Sequence, residues 1–292
     1  MFDPTGNGSA QTSIWDGSRW HRQLPQTSPP PSRAALMAFD PTSATVILYL
    51  DEAHSSSCPV PVPSGPAGGH PSSHRDGCAG PETWSWDGNN WQQKDQAFGP
   101  PSTGVELALD PTLKSPVLLT DSGSCATTAW RWTGATWTRA TTAPGPARSA
   151  AEDLITDPAS GHLELITTSY SGYGPIGDGP PEPCNAPAST WQWNGSSWHE
   201  QPFGPPGPTG PFIGATDDVS GQIVVFTDSG ETWTSDSGTW VRQHPRHAPT
   251  ARISPSMVFD GGHHEVLLFG GVDGHGPLED TWTWDGSDWT QE

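Results

Sequence analysis

The residues best suited to chemistry gather in one long Ser/Gly/Pro-rich stretch. Asp51, His54, His70, His74 and Asp76 lie there, bracketed by Cys58 and Cys78. Imidazole and carboxylate groups together make a donor set for a transition metal. Their spacing follows no ligand motif, however, and the residues between them are those of a solvated loop. No metal and no cofactor is therefore expected. Asp51, His54, His70 and His74 are read instead as binding-surface residues, together with Asp121, Asp228 and Asp273 at the corresponding connections further along.

Two other carboxylates, Glu106 and Asp153, invite a catalytic reading. A pair of carboxyl groups can divide the acid and base roles at a glycosidic bond. The plainer alternative is that both are polar residues lining a wet channel.

Charge and cysteine usage narrow the setting. The chain carries 12 Lys+Arg against 32 Asp+Glu, a formal net charge of −20, which repels phosphate backbones and anionic lipid surfaces. Basic partners, cations and neutral sugars stay open; nucleic acid and membrane insertion do not. Cys58, Cys78, Cys125 and Cys184 all stand in Gly/Pro/Ser-rich stretches with no Cys-x-x-Cys pair. Loop cysteines of this kind suggest disulfides, Cys58 with Cys78 and Cys125 with Cys184, and an oxidising compartment. An extracellular or cell-surface location follows. No signal or membrane-spanning segment is visible, so a cytoplasmic protein with free thiols is the alternative.

The elements that must position these residues are written in the tryptophans. All 16 fall in six copies of one motif: Trp15…Trp20, Trp84-Ser85-Trp86…Trp91, Trp130-Arg131-Trp132…Trp137, Trp191-Gln192-Trp193…Trp198, Trp233…Trp240 and Trp282-Thr283-Trp284…Trp289. Trp-x-Trp sets two rings on one face of a strand. The Asp-Gly or Asn-Gly that follows makes a tight turn, and the last Trp opens the returning strand. Ahead of each later copy lies a second hairpin. Its turn is acidic, at Asp40, Asp110, Asp157, Asp217 and Asp260, and its second strand is an apolar run over 46–50, 117–120, 163–167, 223–227 and 266–269. Each repeat is thus four antiparallel strands, a to d. The high content of Gly (34) and Pro (33) belongs to the turns rather than to disorder.

The last repeat resembles a kelch unit from Arg252 through Met257-Val258-Phe259-Asp260 and Gly270-Gly271 to Asp280-Thr281-Trp282 and Trp289. The other repeats lack the diglycine. The resemblance implies an all-β propeller of four-stranded antiparallel blades, similar in architecture to the central domain of galactose oxidase. The copper chemistry of that enzyme is not implied, because Tyr49, Tyr170 and Tyr173 are the only tyrosines and form no ligand set. Residues 227–233 partly resemble the Asp-box of sialidases but occupy the wrong connection, so they read as a turn.

A single domain spanning 1–292 is expected, with a partial blade at 1–20 and whole blades at 21–91, 92–137, 138–198, 199–240 and 241–292. In the partial blade, residues 1–5 match the end of strand a, and strand b is missing before Trp15. This points to a start lying further upstream in a ring of six or more blades; a closed five-blade ring with an N-terminal tail is the alternative. Within strand a, Leu36, Glu106, Asp153, Ile213 and Ser256 share one column and Met37, Leu107, Leu154, Gly214 and Met257 the next. Alternation turns the first column away from the core and toward the central channel. The b–c and d–a connections gather on one side of the ring and vary most in length. That face is expected to recognise a protein or a glycan without catalysis; a carbohydrate-active hydrolase or lyase using Glu106 and Asp153 is the alternative. Sequence leaves the ligand and the oligomeric state open.

Overall fold

The structure is a computed structural model that describes residues 1–3, 10–32, 34–50, 81–94, 99–100, 104–121, 126–141, 145–147, 149, 151–168, 188–201, 207–236 and 238–292. All regular structure among these is β-strand. Five four-stranded antiparallel sheets and one of three strands form a ring of blades, the last blade carrying a small added hairpin. The three-stranded blade 1 holds β1 (Phe2–Asp3), β2 (Gln11–Trp15) and β3 (Trp20–Gln23). Blade 2 holds β4 (Ala35–Asp40), β5 (Thr45–Leu50), β6 (Glu82–Trp86) and β7 (Trp91–Gln93). Blade 3 holds β8 (Gly104–Asp110), β9 (Ser115–Asp121), β10 (Thr127–Trp132) and β11 (Trp137–Arg139).

Blade 4 is built from β12 (Ala151–Asp157), β13 (His162–Thr168), β14 (Ser189–Trp193) and β15 (Trp198–Gln201). Blade 5 follows with β16 (Phe212–Asp217), β17 (Gln222–Thr227), β18 (Thr232–Asp236) and β19 (Thr239–Arg242). Blade 6 has β20 (Ser256–Asp260), β21 (Glu265–Phe269), β24 (Thr281–Trp284) and β25 (Trp289–Gln291). The short hairpin β22 (Val272–Asp273) and β23 (Gly276–Pro277) lies in its b–c connection.

Turn chemistry fixes the strand ends. Asp40, Asp110, Asp157, Asp217 and Asp260 each accept backbone N–H groups just beyond them with a side-chain oxygen, closing the a–b turns. Asp16, Asp87, Asn194 and Asp285 do the same at the c–d turns. There the next residue, Gly17, Gly88, Gly195 or Gly286, sits at φ between +92° and +99°, which a side chain tolerates poorly.

The blades stand on edge, so sheet faces are buried against neighbouring blades. Ala38, Ile47 and Tyr49 of blade 2 meet Leu107, Leu118, Trp132 and Trp137 of blade 3. The same alternation builds the junctions of blades 3 with 4, 4 with 5 and 5 with 6. Each Trp-x-Trp face points at the preceding blade, and the opposite face at the following one. The strand-a columns therefore differ from the expectation. Leu36 packs into the junction with blade 3, and Ile213 into that with blade 6. The column containing Glu106 and Asp153 is turned toward the next blade and not toward an open channel.

Blade 1 closes the ring between blades 6 and 2. The indole N–H of Trp20 donates to Thr281 Oγ1 of blade 6 (3.0 Å), and its ring meets Phe269 at 5.2 Å between centroids. On the other side, Trp91 Nε1 of blade 2 donates to Thr12 Oγ1 (2.8 Å). Residues 1–5 match strand a by sequence, but Phe2 and Asp3 pair with Thr12 and Gln11 of strand c and so occupy the position of strand b. The reason is register: a strand that pairs directly with c is by construction b. No strand a of blade 1 is present among the described residues. No helix among the described residues is long and apolar enough to cross a membrane.

Candidate functional site on the b–c and d–a face

The first residue of each Trp-x-Trp motif lies at the start of strand c, close to the b–c connection. In three blades an acidic residue two positions earlier accepts a hydrogen bond from its indole N–H. Trp84 Nε1 donates to Glu82 (2.7 Å), Trp233 Nε1 to Glu231 (2.9 Å) and Trp282 Nε1 to Asp280 (2.7 Å). Alternation explains the contact, because residues i and i+2 share a face of the strand. In blades 5 and 6 an arginine meets the acid, and in different ways.

In blade 6 the site is closed. Arg252 comes from the d–a link, and its side chain is 0% exposed. It binds both oxygens of Asp280 (2.6 and 2.9 Å) and the carbonyl of Gly270 (2.9 Å). Although burial works against it, the carboxyl of Asp280 is held below its ordinary value by the hydrogen bonds of Arg252 and Trp282. A fork–fork pair of this kind, with its guanidinium fully enclosed, staples the link to the blade.

In blade 5 the site is open. Arg242 ends strand d directly across from Trp233 and reaches Glu231 Oε1 with Nη2 at 2.8 Å. Its side chain is 49% exposed and that of Glu231 26%. The carboxylate thus holds an indole N–H and one guanidinium N–H, while the rest of the guanidinium fork faces solvent. Beside it runs the tight turn Thr227–Glu231, closed by the N–H of Gly230 donating to Thr227 O (2.9 Å). The neighbouring d–a link lies on this turn: a Cβ at Gly230 would sit 3.3 Å from the backbone N of Ala251. Further round the same face, Ile253 and Val272 exchange two backbone hydrogen bonds of 2.9 Å and leave apolar side chains exposed.

The residues expected from sequence fall in several environments. Asp228 belongs to the blade 5 turn, and its N–H donates to Pro211 O (2.9 Å). The side chain of Asp273 caps the small hairpin by accepting from the amides of His275 (2.7 Å) and Gly276 (3.1 Å). Asp121 ends β9 on the same side. Asp51, His54, His70, His74 and all four cysteines lie outside the described residues, as does Asp76. Among the described residues no group of His, Cys, Asp and Glu is arranged to hold a metal ion.

Asp153 lies at the junction of blades 4 and 5, where its Oδ2 accepts the N–H of Gly214 at 2.6 Å. Burial between the blades pushes its carboxyl from 3.8 up to about 7 against that bond. Glu106 occupies the equivalent place one blade earlier, at the junction of blades 3 and 4. The sequence reading missed Glu231 and Arg242. A usable signal was present: acid-Thr-Trp recurs as Glu82-Thr83-Trp84, Glu231-Thr232-Trp233 and Asp280-Thr281-Trp282.

This architecture recurs among solved structures. The fungal lectin of Aleuria aurantia, described as a six-bladed β-propeller with a novel fucose recognition mode, matches with a TM-score of 0.58 at 12% identity. The match covers 98% of this chain and 87% of that one. The fold is a β-propeller. The SapL1 lectin, solved in complex with α-methyl fucoside, matches at TM-score 0.55 and 12% identity over 99% of this chain and 90% of its own. A chain of the nidogen/laminin complex matches at 0.54 and 12%, covering 97% and 88%. At such identities the likeness concerns the fold alone. No protein-family model matches the sequence, and no curated protein does.

Proposed function

We propose that this propeller is a non-enzymatic recognition module that binds neutral glycans on the face carrying the b–c and d–a connections. The observation behind this reading is the open Glu231–Arg242 pair. A guanidinium oriented by a carboxylate offers paired donors to vicinal hydroxyls, and the carboxylate offers an acceptor. Trp233 is itself buried and orients the carboxylate through its indole N–H. The net charge of −20 favours a neutral ligand over an anionic one. Lectins that share the fold have been solved with fucosides, which supports the same ligand class here.

The blade limits set out from the sequence, and a kelch-type origin for the last blade, go with this reading. The loop cysteines support an extracellular or cell-surface setting. Asp153 has its carboxylate engaged by a backbone amide between blades, which favours a structural part over an acid/base one.

The test is a glycan array followed by calorimetry with methyl glycosides, α-methyl fucoside included, on the wild type, Arg242→Ala and Glu231→Gln. Loss of a charge-assisted hydrogen bond is worth about 1.5–3 kcal/mol, so Arg242→Ala should weaken capture by roughly ten- to a hundredfold. Arg242 is surface-exposed, so its melting temperature should hold. A wild type that captures no glycan, or an Arg242→Ala protein that binds as well as the parent, overturns the reading.

A further inference from the structure

Equivalent a–b turns differ in the residue that stands three positions after the aspartate. In three blades it is a serine that bonds the second carboxylate oxygen. Ser43 Oγ donates to Asp40 Oδ2 (2.8 Å), the N–H of Ser160 to Asp157 Oδ2 (3.1 Å) and Ser220 Oγ to Asp217 Oδ2 (2.7 Å). Blade 3 has Leu113 there, and Asp110 Oδ2 is buried without a partner among the described residues. Blade 6 has His263, whose Nδ1 meets Asp260 Oδ2 at 2.8 Å.

The same residues differ in what they reach in the next blade. Gly134, Gly238 and Gly286 of the c–d turns following Ser43, Ser160 and Ser220 have no described atom within 4 Å of where a Cβ would stand. At Gly195 the Leu113 side chain stands 3.5 Å from that point, and at Gly17 the His263 ring fills it. Two seams are thus bridged from turn to turn. Between blades 3 and 4 the bridge is a hydrocarbon; between blades 6 and 1 it is an imidazole that can gain or lose a proton.

Charged groups crowd this second bridge from both blades. On blade 6, Asp260 holds His263 directly, Glu265 of β21 lies close enough to act on it, and Glu292 acts on Glu265. On blade 1, Asp16 acts on His263 across the seam while it binds His21 Nε2 and lies 3.6 Å from Arg19 Nε. With both imidazoles protonated, Asp16, Asp260, Glu265 and Glu292 face His263, His21 and Arg19. With both neutral, Arg19 alone of these three opposes the four carboxylates.

We infer that the seam between blades 6 and 1 is a pH-operated latch, in which protonated His263, held by Asp260, draws the Asp16 turn of blade 1 onto blade 6. Loss of the proton loosens the seam. The direction follows from linkage. The hydrogen bond to Asp260 raises the His263 pKa above its ordinary 6.5, so its contribution is whole below that value and is lost as pH rises through the folded-state one. Asp16 stays anionic throughout because the hydrogen bond with His21 lowers its pKa. Against its partial burial, Asp260 is kept anionic by the hydrogen bond with His263. The latch lies among the a–b and c–d turns, opposite the glycan reading, and does not depend on it.

The experiment is a double-mutant cycle across the seam, His263→Gln with Asp16→Asn, on the full chain. His263 is half exposed, and Asn194 already fills the place of Asp16 in blade 4 with its turn bonds intact, so both variants should fold. Thermal unfolding at about pH 5.5 and about pH 9 brackets the imidazole titration. The two sites should stabilise each other at the lower pH, and that coupling should be lost at the higher. Asp153 and Glu164, raised to about 7, stand in all four proteins and cancel in the cycle. Leu113→Gln at the other bridged seam should lower the melting temperature equally at both pH values. Proton NMR of the imidazoles gives a second readout: Asp16→Asn should shift the His263 midpoint down, from the far side of the seam. A coupling no stronger at the lower pH than at the higher overturns the latch, as does a His263 midpoint that Asp16→Asn leaves unmoved.

Discussion

Asp153 shows how a place between two blades alters a single carboxyl group. Its pKa is raised by burial from 3.8 to about 7, so the folded chain holds a proton that the unfolded chain has lost. Below about 3.8 both states are protonated and nothing is forfeited. As pH rises through 4 to 7 the unfolded state ionises first, and stability falls; above 7 the whole cost is present. Glu164, on the second strand of the same blade, is also raised to about 7, by burial first and then by the charge of Asp157. Asp153→Asn keeps an acceptor for the Gly214 amide but cannot ionise. Its stability relative to the wild type should improve by about 1–3 kcal/mol between pH 4 and pH 8. Urea denaturation at pH 4, 6 and 8 measures this directly. A difference that stays flat with pH means that Asp153 ionises as freely folded as unfolded.

Between elements, the recurring fastener is a hydrogen bond from the tryptophan that opens strand d to a threonine on strand c of the preceding blade. Trp91 reaches Thr12, Trp137 reaches Thr83, Trp289 reaches Thr232 and Trp20 reaches Thr281, all at 2.8–3.0 Å. Blade 3 carries Ala129 at the threonine position, and the indole N–H of Trp198, which should find it, is buried without a partner. A buried donor left unpaired costs about 1–3 kcal/mol. Ala129→Thr should therefore raise stability by about 0.5–1.5 kcal/mol, and Thr83→Val, which strands Trp137, should lower it by about 1–3 kcal/mol. Thermal denaturation of the two variants decides the matter. If Ala129→Thr destabilises, the site has no room for the hydroxyl and its methyl, and the alanine is there for packing.

For the molecule as a whole the decisive contact is the one that joins its two ends. The turn of blade 1 meets blade 6 where the His263 ring lies over Gly17, at a place a Cβ would occupy. His263 is held there by Asp260 Oδ2 at 2.8 Å, and this hydrogen bond raises the imidazole pKa above its ordinary value. Gly286 has the same φ of +95° but nothing near its missing Cβ. Alanine at either position forces a side chain into left-handed backbone, at about 1–2 kcal/mol. Gly17→Ala should cost more than Gly286→Ala, because it also displaces His263, and adding His263→Ala should remove the excess. Equal losses of melting temperature in the two alanine variants would mean that the ring does not rely on this seam.

Much of the blade plan was legible in the chain because its causes are local. Alternating side chains set Trp84 and Trp86 on one face, and an Asp-Gly pair such as Asp87-Gly88 turns the strand, whatever lies elsewhere. The acidic turns at Asp40 and Asp260 are equally self-contained. Three things were not legible, and each depends on residues distant in sequence. Phe2 and Asp3 look like the end of strand a, yet they become strand b because the available partner is Thr12. Glu106 and Asp153 alternate away from the Trp-bearing face, but a sheet standing on edge has a neighbour on both sides and so turns them into a junction. Arg242 and Arg252 are each an arginine near an acid-Thr-Trp sequence, and only the packing of a link against its blade buries one and leaves the other to solvent. Repetition along the chain specifies the blades; which surfaces stay open depends on how the first blade meets the last.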